Sequence, residues 1–333
     1  PAHGSKKNPF GALDIEVENI SDSLTVLKYK NLLPKLNDLP KTVQRKTYSK
    51  QAKQIQEFLG IDQLDFIWSF DPFRYWDLKW FNASHYVYHT VDVHFSKCFE
   101  ADIAASADII LLSSETLREN LTPYNNNIHY VGHAADLDSF REQEQQPKKI
   151  ESDYDIVAGL VGHFNSNVDY KLIESMVKLN DNVQFIFIGP YQNNNLGTSV
   201  HDESANIDRI QAYPNVKFTG SIPSSEIMQW LMSFDINLVL YKEEKRDIII
   251  NPHKMMGYFY SGKITVCSWF KEYDKAEKEF LWMTEWNKEV PAAVKEISTN
   301  LTHWNSVELM QKRKAFAIER GYDQKIIEIG ALL

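Results

Sequence analysis

The chain has 333 residues, 43% of them hydrophobic and 24% charged, which suits two globular domains with their own cores and excludes a disordered polyampholyte. No apolar run approaches the roughly 20 residues needed to cross a bilayer, and no basic-then-apolar leader opens the sequence, so a cytoplasmic protein is expected. Cys98 and Cys267 cannot form a disulfide framework, and ten histidines without a flanked H-x-x-x-H pattern give zinc no support.

In chain order, short β-branched and apolar runs bounded by turn residues read as buried parallel strands at 24–27, 66–70, 86–90, 109–113 and 129–131. Helical patterns fall between them. One covers 48–59 and stops at Gly60; another covers 114–121, opening on Ser-Ser-Glu and stopping near Pro123. The polar stretch 139–151 has no periodicity and reads as a linker. A second series follows, with strands at 155–161, 183–188, 216–218, 236–241 and 264–267 and helices at 169–179, 225–233 and 253–261. A polar loop at 191–206 is expected to be mobile. Alternating strands and helices predict an α/β protein of two doubly wound parallel sheets, with ligands at the carboxyl ends of the strands.

The net charge of −9 is unevenly spread, because residues 1–53 hold ten Lys/Arg against five Asp/Glu. A basic front on an acidic protein suits anionic lipid head groups or phosphate-bearing substrates, or is simply a solvated charged face. The acidic remainder and the lack of a reader motif speak against nucleic acid.

The segment most suggestive of chemistry is Asn251-Pro-His-Lys-Met-Met-Gly-Tyr-Phe-Tyr-Ser-Gly262-Lys-Ile-Thr-Val266. Pro252 suits a first helical turn and Asn251 its cap. Free N–H groups and the positive end of the helix beside Lys254 would then cradle a diphosphate. An ordinary helix–strand unit with an exposed lysine has the same local pattern.

This segment resembles the asparagine-proline-x-lysine to glycine-lysine-proline-valine stretch of GT-B glycosyltransferases, of the family-4 type and the glucuronosyltransferase-like group. Other landmarks resemble the family in the same order: Val161-Gly162-His163-Phe164, Phe185 to Pro190, Asn215 to Gly220 with Ile222-Pro223, Phe234 to Tyr241, and in the first half Ala107 to Leu117 and Gly132 to Phe140. The resemblance covers about residues 60–330. It implies the GT-B fold, two Rossmann-like doubly wound domains facing a cleft. Residues 1–145 would form the acceptor domain, 151–320 the donor domain, and 321–333 a helix crossing back to the first. It also implies a nucleotide diphosphate-sugar, UDP- or GDP-linked, as co-substrate without further cofactor or metal, and a glycan or lipid-linked acceptor in polysaccharide synthesis. Gly162, His163, Gly189, Ile222, Asn251, His253, Lys254 and Met255 would line the donor site. Peripheral contact with an anionic membrane through residues 1–53 would fit such a role.

Two departures stand out. The glutamate that clasps the donor ribose in many relatives falls at Gly257 here, and its partner acid at Ile249. Residues 1–33 look like the loop and strand after a first strand–helix unit, and that unit itself is expected to be absent. For a base that takes the acceptor proton, Asp92 resembles the first-domain aspartate of related enzymes, with His94 as second candidate; a helix or turn cap is the alternative for Asp92. His89 reads as a hydrogen-bonded strand residue, and Asp71-Pro72 as a turn or cleft element. The aromatic run Trp68, Phe70, Phe73, Tyr75, Trp76, Trp80 and Phe81 is expected mainly in the core, where rings bury most area. Two rivals to a transferase remain: a non-catalytic sugar-nucleotide binder, and a nucleotide-sugar epimerase.

Overall fold

The computed structural model describes residues 11–94, 98–144, 147–191 and 203–333. The chain divides into two compact units, one running through Tyr130 (with Leu333) and one over Val131–Leu332. The boundary therefore precedes the expected linker. Helix Leu137–Glu144 occupies the start of that stretch, because Leu137 and Phe140 pack on the second unit's core and Gln143 accepts a hydrogen bond from the Met228 amide. The expected loop at 191–206 lies largely outside the described residues.

In the first unit an antiparallel hairpin comes first, β1 (Ile15–Ser21) with β2 (Leu24–Tyr29). The run at 24–27 is thus no buried parallel strand. The Ser21–Ser23 turn reverses the chain, and most hairpin residues are exposed. Helix α1 (Lys41–Leu59) follows and ends at Gly60, whose φ of 66° closes the last turn. Of its buried face, Ala52 and Ile55 pack toward Phe81, Leu13 and the hairpin side chains Ile15, Leu27 and Tyr29, while Arg45, Lys46, Lys50 and Lys53 stay outside. Then come β3 (Leu64–Ser69), β4 (Ala83–Thr90), α2 (Glu100–Ser106), β5 (Ile109–Leu112), the single turn α3 (Arg118–Leu121) and β6 (Ile128–Tyr130). The four strands are parallel and stand side by side in sequence order. Trp76 and Phe81 are core residues as expected. Trp68 and Phe70 are exposed instead, because β3 is the edge strand and, among the described residues, Phe66, Trp68 and Phe70 meet only one another and the His85 and His89 rings.

The second unit opens with α4 (Leu137–Glu144) and builds a six-stranded parallel sheet in the order β12-β11-β10-β7-β8-β9. The strands are β7 (Ile156–Val161), β8 (Val183–Ile188), β9 (Val216–Gly220), β10 (Ile236–Val239), β11 (Ile264–Cys267) and β12 (Trp282–Met283). The chain adds β8 and β9 on one side of β7, then returns to add β10 to β12 on the other. Winding therefore reverses between β7 and β10. Between strands lie α5 (Tyr170–Leu179), α6 (Ser204–Gln211), α7 (Ile227–Ser233) and α8 (Met255–Ser261), and after them α9 (Val290–Thr299), α10 (Leu301–Trp304), α11 (Val307–Ile318) and α12 (Tyr322–Gly330). Asp169 caps α5 by accepting from the Leu172 amide.

Strands buried on both faces are built mostly of apolar residues, and here Gln184, Asn237 and Thr265 are the polar members of β8, β10 and β11. Ala158, Leu160, Phe185, Phe187, Ile236 and Leu238 face the layer of α5 and α9; Val157, Ile186, Ile188 and Val239 face that of α7 and α8. Cys267 lies in the second layer, where burial pushes its thiol pKa up. Arg313 of α11 is buried and donates to the carbonyls of Gly262, Phe280, Trp304 and Glu279, which ties the end of α8 to the β12 side. Helix α12 is present where a crossing helix was expected and belongs to the second unit. No helix among the described residues is long and apolar enough to cross a membrane.

Gly159 in β7 leaves room for the Phe234 ring, and a Cβ there would come within 2.0 Å of it. Gly159→Ala should destabilise the second unit by about 1–3 kcal/mol through overpacking. In a thermal melt this reads as a drop of several degrees.

Candidate functional site

The carboxyl ends of β7, β8 and β9 each finish in glycine. The Gly162 amide donates to the Ile188 carbonyl at 2.9 Å, and the Gly189 amide to the Gly220 carbonyl at 2.9 Å. Gly189 has φ 140° and Gly220 φ 77°. A Cβ on Gly189 would sit 1.8 Å from the Gly162 carbonyl oxygen, so only glycine allows these strand ends to lie together.

Lys254 reaches this place from the turn before α8. Its Nζ donates to the Val161 carbonyl at 2.9 Å and stands 5.2 Å from the Tyr241 ring centroid, half-buried. It also lies over Gly162, where a Cβ would meet Nζ at 2.6 Å. Tyr258, one turn into α8, accepts a hydrogen bond from the Val161 amide at 2.9 Å. The β7–β10 ladder registers only Ile236 with Ala158 and Asn237 with Gly159, so beyond it this hydroxyl satisfies a β7 amide that has left the ladder. Burial raises the Tyr258 pKa, and the hydroxyl stays protonated. A cation thus sits at the point where the winding reverses, the place where open α/β sheets bind ligands.

The turn itself differs from the sequence expectation. Helix α8 begins at Met255 with Lys254 at its cap position and no side-chain cap bond among the described residues. The preceding residues form a tight turn, with the Met255 amide donating to the Pro252 carbonyl and the Met256 amide to the His253 carbonyl. Asn251 is therefore not the cap. It is buried at φ 31°, its Oδ1 accepts from the Tyr273 hydroxyl at 3.0 Å, and its carbonyl accepts from His133 Nε2 at 2.8 Å. A non-glycine residue in that region is strained, and these two bonds hold it there. The His133 ring meets the exposed His253 ring edge-on at 5.2 Å.

Of the expected donor residues, the structure thus brings Gly162, Gly189 and Lys254 together, with Asn251 and His253 on the turn that delivers the lysine. His163 follows Gly162 and is exposed. Ile222 is half-buried against the α7–α8 core layer. The Met255 side chain is fully buried in that same layer, which leaves its backbone at the turn. Gly257 stands where the ribose-binding acid of the resembling family would fall. A Cβ there would lie 3.3, 3.6 and 3.7 Å from the side chains of Leu231, Met228 and Phe140. A glutamate at this position would put a charge into an apolar layer. Tyr241, Tyr258, Tyr273 and His133 were not singled out from the sequence. Tyr241, Tyr258 and His133 lie inside the stretches that resemble the family, whereas Tyr273 lies outside them.

Beside the lysine's strand pair, at the carboxyl ends of β10 to β12, lies a cavity of about 450 Å³ lined by Arg246, Trp269, Asp274, Met283 and Glu285. The Arg246 guanidinium lies 5.7 Å from the Trp269 ring and 5.3 Å from that of Trp286. Among the described residues no cluster of three or more His, Cys, Asp or Glu is arranged to hold a metal.

In the first unit, Asp92 and His94 follow β4. Asp92 is exposed, and it does not cap α2, whose cap position is Phe99. The His94 ring packs edge-on against Phe73 at 5.3 Å, and its buried Nε2 has no hydrogen-bond partner among the described residues. Nearby, Tyr88 and Thr90 both donate to Glu100 Oε1, at 3.0 and 3.3 Å, which fixes the end of β4 to the start of α2.

No family model matches the chain. In sequence it is 23% identical over 192 residues to a Bacillus subtilis (strain 168) protein named as a glycosyltransferase of teichuronic acid biosynthesis, TuaH; the match covers 56% of this chain and 46% of that protein. The chain thus spans about half the length of this relative. In structure it is similar to sucrose-phosphate synthase from Thermosynechococcus elongatus (TM-score 0.68, 12% identity, 95% of this chain and 84% of that one). It is also similar to a UDP-forming α,α-trehalose-phosphate synthase from Burkholderia xenovorans (0.69, 12%, 96% and 89%) and to the E. coli trehalose-6-phosphate enzyme bound with UDP-2-fluoro glucose (0.71, 9%, 96% and 89%).

The glycines make opposite predictions. In Gly162→Ala the new methyl meets only the mobile end of Lys254, so urea unfolding should stay within about 1 kcal/mol of wild type while the lysine is displaced. In Gly189→Ala the methyl meets backbone at an unfavourable φ, and unfolding should show a loss of about 3 kcal/mol or more. With its parallel α/β sheets and these structural relatives, the chain carries the GT-B fold.

Proposed function

We propose that the protein is a glycosyltransferase that takes a sugar from a UDP- or GDP-sugar and passes it to a glycan or lipid-linked acceptor in the cytoplasm, for the assembly of a cell-surface polysaccharide. The observation that carries this is the Lys254 ammonium at the glycine-lined end of β7, where the sheet's winding reverses. A cation in that place neutralises the diphosphate as the bond to the sugar breaks, where charge stabilisation has most effect on the barrier. Gly162 and Gly189 let the backbone approach the phosphates. The cavity with Arg246, Trp269, Asp274 and Glu285 offers a ring to stack on a sugar face and carboxylates to accept from its hydroxyls. The lysine supplies the charge that a metal would otherwise bring, so transfer is expected to persist in a chelator.

For transfer with inversion, Asp92 is the base. It is exposed at the carboxyl end of its strand, whereas the ring nitrogen of His94 is buried against Phe73. The similarity to TuaH supports an acidic polysaccharide as the acceptor's destination.

A melting panel of UDP-, GDP- and ADP-sugars tests the donor reading. The matching donor at about a hundred times its Kd should stabilise by about 2.7 kcal/mol, and Lys254→Ala should abolish the shift without lowering the ligand-free midpoint. A flat panel sinks the reading. Product formed from the donor alone would instead mark an epimerase. Asp92→Asn should lower kcat by about 10²–10⁴ with little change in donor KM, measured by release of the nucleoside diphosphate.

A further inference from the structure

The first unit contains a second concave site, at the opposite end of its sheet from Asp92. A groove of about 980 Å³ runs between α1 and the segments that lead into β3 and β4. One wall carries Lys46, Lys50 and Lys53, and Lys79 stands on the other. Asp62 and Asn82 mark the amino ends of β3 and β4, so the groove lies away from the carboxyl ends where transfer chemistry is placed.

The groove's floor is pre-formed. Gln56 Nε2 donates to the Asn82 carbonyl at 3.1 Å, and the Asn82 amide donates back to Gln56 Oε1 at 2.7 Å. Asn82 Nδ2 donates to the Asp62 carbonyl at 2.7 Å. Trp80 is held against Trp76 at 4.7 Å and Tyr48 at 6.2 Å, and the Tyr86 hydroxyl donates to the Phe81 carbonyl at 2.9 Å. These rings and amides are fixed before anything binds.

The wall, by contrast, offers charge. Lys46, Lys50 and Lys53 are spaced i, i+4 and i+7, so they stand on one face of α1 over about 10 Å of helix. No ion pair engages Lys46 or Lys50 among the described residues; Lys53 has only an exposed 3.8 Å contact with Glu57, which contributes little. A row of cations at regular spacing above fixed aromatic rings matches a flexible chain that repeats an anionic group and an apolar ring face.

We propose that this groove holds an anionic glycan chain, a polymer of uronate- or phosphate-bearing sugars, without taking part in catalysis. Its lysines pair with the repeated anions, and Trp80 and Tyr86 stack on the sugar rings between them. The choice of a glycan over another polyanion rests on the transferase reading above. The concave shape favours a chain over a flat bilayer, and the sequence carries no nucleic-acid reader motif. A growing polymer held here stays close to the enzyme between rounds of transfer, which raises its effective concentration at the acceptor end.

Calorimetric titration of the full chain with tetra-galacturonate, in the absence of any sugar nucleotide, tests the groove. Binding should weaken with added salt, exceed that of neutral maltotetraose, and fall at least tenfold in the combined variant Lys46→Ala, Lys50→Ala, Lys53→Ala. Lys79→Ala on the opposite wall should weaken it as well. These side chains are exposed, so the melting midpoint should not move, and the nucleotide-sugar shift of the variant should match wild type. That last comparison separates failure of the groove from failure of the transferase reading. The proposal is overturned if tetra-galacturonate fails to bind at millimolar concentration, if the triple variant binds it equally, or if maltotetraose binds as well. It is equally overturned if vesicles of phosphatidylglycerol and phosphatidylcholine bind through these lysines while the uronate does not.

Discussion

The close approach of two backbones governs the geometry around Lys254. Gly189 leaves no room for a side chain against the Gly162 carbonyl, and this lets β7, β8 and β9 end level with one another. That level edge is what Lys254 lies across. The lysine could not rest there over a larger residue at 162, nor hold its bond to Val161 if Tyr258 did not keep the end of β7 in place. The cation's position thus follows from two glycines and one tyrosine, each needed for a steric or hydrogen-bonding reason rather than for direct contact with a ligand.

The missing ribose acid has a structural account of the same kind. Gly257 faces α4 and α7 across a gap that leucine, methionine and phenylalanine fill. Burying a carboxylate there would cost several kcal/mol, so this helix cannot present an acid from that position. Its polar contacts are made earlier, in the turn of Asn251 to Lys254, which His133 and Tyr273 hold from two different directions. A ribose bound at this site would therefore have to be recognised by groups other than an acid at position 257.

Strands β8 and β11 were legible to the residue, because each is a mostly apolar, β-branched or aromatic run closed by a turn or preceded by a helix-ending glycine. The same rule misplaced the run at 24–27, since a hairpin partner as polar as Ile15–Ser21 does not look like a strand. The stretch at 139–151 looked like a linker from its glutamines and charges, yet Leu137 and Phe140 suffice to seat a helix once α7 and α8 lie beneath them. At the site, Lys254 and the glycines could be found from motif order. Asn251 could not be placed correctly, because its conformation depends on partners 118 residues before it and 22 after it. Long-range bonds of that sort leave no local pattern.

The straight order of the first unit's strands carries a consequence of its own. A sheet whose described strands succeed one another without reversal has no built-in crevice at its carboxyl edge, unlike the sheet around β7 and β10. Whatever that unit recognises there must be shaped by the connections after β3, β4 and β5. Such connections can lengthen, shorten or change residue by residue while the sheet beneath stays intact. The end of β7 is thereby tied to a rigid framework that tolerates little change, while the carboxyl edge of the first unit's sheet is left to segments free to diversify.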